Sequence, residues 1–142
     1  MARYFDLRST VLIVVGHAIL AEEEDRPIAY ELKQAVNART GGSEGRAAVV
    51  VTDVWLANQE LGGFFPAIAV GGPGVNGLTA EIYEELQLVF TRDQQVFVQM
   101  AAEGKRAALW GMDEAGTREA VDVFVNDGLL ERFLDLVWRR TV

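Results

Sequence analysis

The feature that most constrains this sequence is a set of short, uninterrupted apolar runs rich in β-branched residues. The first run covers residues 11–15, the second Ala47–Thr52 and the third Ala67–Val70. Runs of this length without polar alternation are typical of strands that are buried on both faces of a parallel sheet. Parallel neighbours need long crossover connections, so helices are expected between these strands.

Amphipathic segments supply those helices. The sequence predicts a first helix over residues 26–39, because Pro27 suits a first helical turn and the acidic residues 22–25 suit the positive end of the helix dipole. A further helix is predicted after residue 76. Spacing of three and four between apolar residues predicts two more helices, around residues 117–125 and over residues 129–139.

Residues 87–111 have a different pattern, in which polar and apolar side chains alternate. Residues 88–90 and 95–100 predict a half-exposed antiparallel hairpin at the edge of the sheet. Residues 103–105 are the expected turn before a further strand at residues 106–111.

These elements predict one α/β domain over residues 1–142. Its expected architecture is an open, mainly parallel sheet with helices on both faces, of the flavodoxin or Rossmann-like kind. The chain contains no cysteine, which excludes disulfides, thiolate metal sites and cysteine nucleophiles.

The charge balance narrows the choice of partners. Thirteen Lys and Arg residues stand against twenty-one Asp and Glu residues, a formal charge of −8, and this repels polyanions. We therefore expect a soluble cytoplasmic protein that contacts neither nucleic acid nor membrane. Arg3 and Arg8 precede an apolar run as in a secretion signal, but Asp6 in the basic segment and the bulky Ile19 argue against that interpretation.

Two stretches resemble α/β modules of archaeal surface-layer proteins. They are AIAVGGPGVN at residues 67–76 and GMDEAGTREA at residues 111–120. In those modules a strand ending in Gly-Gly-Pro and then Asn is followed by a strand, Gly, a polar turn and Thr-Arg-x-Ala opening a helix. The resemblance covers about residues 48–125 and implies an α/β fold with a structural or unassigned role. We expect neither an export signal nor a membrane anchor here, which departs from that family.

The candidate site lies where the strands end, because open α/β sheets bind ligands at the carboxyl ends of their strands. His17, the sole histidine, suits a general base or a ligand, and the glycine turn at residues 71–76 suits an anionic group. Asp53 and Asp113 suit ligand hydroxyls or a hard cation such as magnesium. The full set of candidate ligand-binding residues is Gly16, His17, Asp53, Asn58, Gly71, Gly72, Gly74, Asn76, Asp113 and Thr117.

Each candidate also has a purely structural explanation. The glycine turn matches neither the dinucleotide fingerprint nor the P-loop, and it fits a tight turn in which Asn76 caps a helix. Asp113 and Thr117 suit a cap on the next helix. A serine triad is disfavoured, because Ser9 lies at the wrong end of its strand and Ser43 lies in a loop without a nucleophile-elbow sequence.

The connection between the second and third strands is unusually aromatic for a segment that faces only water. It carries Trp55, Leu56, Leu61, Phe64 and Phe65. Together with the apolar last helix, it predicts a non-catalytic structural or assembly module that forms homo-oligomers. The alternative is a small-molecule or nucleotide-binding protein, as a binder or an enzyme, with its site at the carboxyl ends of the strands. The sequence names no cofactor, metal or catalytic residue.

Overall fold

The computed structural model describes residues 8–43, 45–101 and 105–139. Within them the chain forms β1 (Thr10–Val15), α1 (Ile19–Asn37), β2 (Ala47–Thr52), α2 (Asp53–Ala57), β3 (Ala67–Val70), α3 (Gly77–Ile82), β4 (Gln87–Arg92), β5 (Val96–Met100), β6 (Arg106–Gly111), α4 (Glu114–Asn126) and α5 (Leu129–Trp138). A 3₁₀ turn at Gly62–Phe64 lies between α2 and β3.

The described strands form one mixed sheet in the order β2-β1-β3-β6-β5-β4. β1, β2, β3 and β6 are parallel, and the β4–β5 hairpin adds an antiparallel edge. This confirms the predicted α/β domain, the mainly parallel sheet and the edge hairpin. Of the predicted turn at residues 103–105, residues 103 and 104 lie outside the described residues.

The two faces of the sheet are covered unequally. One face carries the three longer helices, α1, α4 and α5, over the larger apolar cluster, which includes Ile13, Ile68 and Phe124. The other face carries only the short helices α2 and α3 over a smaller cluster that includes Leu12, Val14 and Phe65. Helices therefore do lie on both faces, but the second face is thinly covered.

Helix α1 begins at Ile19 and not at residue 26 as predicted. Pro27 lies inside the helix and the acidic residues 22–25 occupy its early turns. The missing N–H of Pro27 costs one hydrogen bond, whereas the earlier start lets Ala21 pack with Ile28 and Leu32 on the buried side. Tertiary packing thus outweighs the local signals for a helix start.

Helix α5 closes the core. The apolar side chains on one side of this helix are buried: Leu130, Phe133, Leu134 and Trp138. This apolar side is therefore not available for association, whereas the sequence-based hypothesis made it part of an oligomer interface. No helix within the described ranges is both long enough and apolar enough to cross a bilayer.

Asn76 joins the carboxyl ends of β1 and β3. Its side-chain Nδ2 donates to the Val14 carbonyl at 2.8 Å and to the Val70 carbonyl at 3.0 Å. Its Oδ1 accepts from the N–H groups of Leu78 and Thr79 and thereby caps α3. The predicted cap is confirmed, and the same side chain also fills the gap between the two strands.

We expect Asn76→Ala to lower the free energy of unfolding by roughly 3 kcal/mol, because it removes a helix cap and leaves two buried carbonyls without donors. Urea unfolding measures this change. Asn58→Ala is the matched control, because Asn58 is exposed and donates a single local bond to Val54, and its cost should stay below about 1 kcal/mol. Equal losses in the two variants would contradict the role given to Asn76.

Candidate functional site

The glycine turn divides the carboxyl edge of the sheet into two sides. On the thinly covered face, a groove of about 740 Å³ runs between α2 and α3 and is lined by His17, Asp53, Leu56, Leu78, Ile82 and Arg106, among others. On the opposite face, a hollow of about 120 Å³ lies beside α1 and is lined by Leu20, Asp25, Gly72, Val75, Met112 and Thr117, among others.

His17 and Asp53 form a hydrogen-bonded pair at the mouth of the groove. The His17 Nδ1 lies 2.9 Å from the Asp53 Oδ1, and the histidine side chain is 63% exposed while that of the aspartate is 8% exposed. The two residues meet because β1 and β2 are neighbours, with Val15 paired to Thr52. Asp53 fixes the orientation of the imidazole, so that Nε2 points away from the Asp53 carboxylate.

Asp53 is held in place by backbone donors as well. Its Oδ2 accepts from the Gly77 N–H at 2.7 Å and its Oδ1 from the Val54 N–H at 2.8 Å. The carboxylate therefore ties the end of β2 to the start of α3. A carboxylate fixed in this way is a rigid support for the imidazole.

Arg106 lies at the far end of the groove, at the start of β6. Its guanidinium donates to the Gly62 carbonyl at 3.2 Å. Burial lowers the pKa of Arg106, and the nearby carboxylate of Glu81 acts in the opposite direction. Arg106 stands level with Leu12, two strands away across the sheet, so it lies towards the amino ends of the strands, whereas His17 follows the carboxyl end of β1.

The glycine turn has few donors left for an anion. The N–H of Gly71 bonds to Leu109, and those of Val75 and Asn76 bond to Gly72. At the start of α3, the N–H groups of Gly77, Leu78 and Thr79 are taken by the side chains of Asp53 and Asn76. The predicted anion-binding role of this turn is therefore poorly supported by the geometry.

Gly71 lies against a second carboxylate, that of Asp25. Gly71 has a φ of +119°, and a Cβ there would stand 2.6 Å from Asp25 Oδ2. Asp25 is 5% exposed, and burial, with Glu24 and Glu114 nearby, raises its pKa to about 6. No described residue donates a hydrogen bond to this carboxylate. A negative group here also opposes phosphate at the turn.

The remaining residues predicted to bind a ligand do not lie together in one site. Asp113 caps α4 by accepting from the Gly116 N–H, and Thr117 accepts from the Gly111 N–H; both line the hollow. Gly16 packs against the Val75 carbonyl, and Gly72 packs against Trp110. Gly74 is exposed, and Asn58 bonds only to its own helix.

One magnesium site that uses both Asp53 and Asp113 does not fit this arrangement. The two residues follow β2 and β6, which are three strand spacings apart, or roughly 14 Å. Across the described parts of the chain, no three His, Asp or Glu side chains come together as metal ligands do.

Sequence reasoning missed Asp25 and Arg106. Asp25 falls at helical spacing within the buried stripe of Ala21, Ile28 and Leu32, a pattern that could have singled it out from the acidic run. Arg106 carries no such signal, because it is the first residue of an otherwise ordinary strand.

No model of a known protein family matches this chain, and no curated protein matches its sequence. The resemblance to surface-layer modules therefore stays a prediction, and the function has to be argued from the two cavities.

We expect Asp25→Asn to stabilise the protein at neutral pH. The folded state raises the Asp25 pKa, so ionisation costs stability above about pH 6, and this cost disappears below the unfolded pKa near 3.9. The free energy of unfolding should exceed that of the parent by about 2 kcal/mol near pH 7.5 and by about 0.5 kcal/mol or less near pH 4.

Urea unfolding over this pH range measures the difference, and Glu24→Gln, next along the same helix, is the control. A gain for Asp25→Asn that stays constant with pH would show that the Asp25 carboxyl titrates as an ordinary aspartate.

Proposed function

We propose that this protein binds a small molecule in the groove between α2 and α3. The observation that carries the proposal is the His17–Asp53 pair at the mouth of that groove. A buried carboxylate that orients an exposed imidazole is more than helix capping requires, because the backbone N–H groups already satisfy Asp53.

The size and lining of the groove support this proposal. Small-molecule sites usually measure about 300–1,000 Å³ and combine an apolar lining with a few convergent polar groups. The groove has an apolar floor of Leu56, Leu78 and Ile82, with the His17–Asp53 pair at one end and Arg106 at the other.

The pair equips the site to accept a proton. With Nδ1 donating to Asp53, the lone pair of Nε2 can accept the proton of a ligand hydroxyl, and the carboxylate then stabilises the imidazolium. This arrangement supports binding of hydroxyl groups and, for a reactive ligand, general-base chemistry.

The charges of the groove favour a mostly uncharged ligand. Asp53, Glu81 and Glu85 line it together with a single guanidinium, that of Arg106. A polyphosphate would meet more negative than positive charge there. We therefore propose a ligand with an apolar body and hydroxyl groups, and not a nucleotide.

The order of the strands supports a more specific fold. Along the chain, the parallel strands β1, β2, β3 and β6 follow the spatial order second, first, third, fourth, as at the start of the flavodoxin order. We propose on this basis a flavodoxin-like arrangement, in which the reversal of strand order lies between β1 and β3.

A fragment screen tests the groove directly. The sole histidine gives one imidazole signal in NMR spectra, and small hydroxylated compounds, including polyols and phenols, should shift it. Ala57→Trp fills the groove and should weaken the binding of such a compound by at least about tenfold, or 1.4 kcal/mol.

Ala80→Trp is the matched control, because Ala80 is an exposed alanine on α3 that does not line the groove. It should leave the affinity within about twofold of the parent. If no compound shifts the His17 signal, or if Ala57→Trp binds as well as Ala80→Trp, the groove is not the binding site.

Self-association is a second candidate function, and a specific observation favours it. The β2–β3 connection exposes large apolar side chains: Val54, Trp55, Leu61 and Phe64, which we call the apolar patch. Phe64 is 59% exposed and Trp55 is 41% exposed, whereas Phe65 and Leu56 are buried. A homo-oligomeric assembly module would cover this patch.

If the apolar patch is an interface, the double variant Trp55→Glu, Phe64→Glu should reduce a homo-oligomer to monomers, since charges would be buried at the contact. Native mass spectrometry reports the subunit number. Leu136→Glu is the control, because Leu136 is an equally apolar exposed residue on α5. A monomeric parent, or an oligomer that survives the double substitution, would contradict self-association through this patch.

A further inference from the structure

The hollow beside α1 holds a polar group that the groove does not use. Asp25 lies on the buried side of α1, is 5% exposed and receives no hydrogen bond from any residue that the structure describes. Buried carboxylates are normally paired or hydrogen-bonded, because burial of an uncompensated charge is costly. The described residues therefore provide no hydrogen-bond donor for the Asp25 carboxylate.

The ionisable side chains that line the hollow with Asp25 are all acidic. Glu24 precedes it on α1, and Asp113 and Glu114 line the same hollow at the start of α4. The glycine turn, the third wall, has no ionisable side chain. The hollow therefore favours a positively charged ligand, since its lining includes several acidic side chains and no basic one.

The entrance of the hollow is apolar. Leu20, Val75 and Met112 line it, and all three are exposed, Met112 to 64%. Exposed apolar side chains around a buried charge suit a ligand with a charged head and a hydrocarbon tail. A bare metal ion does not need this rim, and among the described residues the carboxylates that line the hollow do not converge as metal ligands do.

We propose that the hollow binds a primary alkylammonium ion. Its N–H groups donate to the Asp25 carboxylate, and its carbon chain packs on Leu20, Val75 and Met112. With a volume of about 120 Å³, the hollow admits an amine head with a short chain. This site is separate from the groove and does not depend on the function proposed for it.

Binding should depend on pH in a defined direction. The ammonium pairs with the ionised carboxylate, so affinity should be constant above the Asp25 pKa and fall by up to about tenfold per pH unit below it. Glu24, Asp113 and Glu114 line the same hollow.

The probe is n-butylammonium chloride, titrated at constant ionic strength while the methyl signals of Met112 and Leu20 are followed by NMR. Tetramethylammonium has the same charge but no N–H donor, and n-butanol has a similar chain but no charge. The proposal expects both to bind at least about tenfold more weakly than n-butylammonium.

Asp25→Asn removes the charge and should reduce the affinity for n-butylammonium by at least about tenfold, whereas Glu24→Gln should change it by about twofold or less. Equal affinity of the parent and Asp25→Asn would overturn the proposal. So would equal affinity for n-butylammonium and tetramethylammonium, which would indicate general attraction to an acidic surface.

A second variant tests the proposal without altering the carboxylate. Met112→Lys puts an ammonium group of the protein itself at the rim, on an exposed residue, and it should compete with n-butylammonium. Met112→Gln is its neutral control. An affinity that is the same in these two variants would count against an ammonium site at Asp25.

Discussion

The arrangement of both cavities depends on the amide of Asn76. In open α/β sheets, the chain separates to opposite faces between two adjacent strands, and the resulting crevice usually receives the ligand. Here the Asn76 amide lies between β1 and β3 and bonds to the Val14 carbonyl of β1 and the Val70 carbonyl of β3. The open space at this edge of the sheet therefore lies to either side of the glycine turn, as a groove on one face and a hollow on the other.

Asp53 and Asp25 show how the surroundings of an aspartate decide whether its charge is compensated. Asp53 receives bonds from two backbone N–H groups and contacts an imidazole, so its charge is compensated within the fold. Asp25 is more deeply buried, has acidic neighbours and has no donor among the described residues. The first carboxylate ties β2, α3 and His17 together, and the second has no hydrogen-bond donor among the described residues.

The strands were predictable because continuous β-branched runs fit few environments other than a buried sheet, and the three runs appear at the expected positions as β1, β2 and β3. The start of α1 could not be predicted in this way. Pro27 and the acidic run are local signals, whereas the packing of Ala21 and Asp25 is a property of the whole fold. Likewise, sequence places His17 and Asp53 at strand ends. That they touch depends on β1 and β2 being neighbours, which no local pattern contains.

The unequal covering of the sheet separates the residues that stabilise the fold from the residues that line the groove. Most of the large core side chains lie under α1, α4 and α5, so substitutions along α2, α3 and the segment between β2 and β3 alter few of the contacts that keep the chain folded. Those same segments line the groove. Sequence drift there can change the shape and charge of the groove while the folded state is retained, which makes this face the one that can vary most freely.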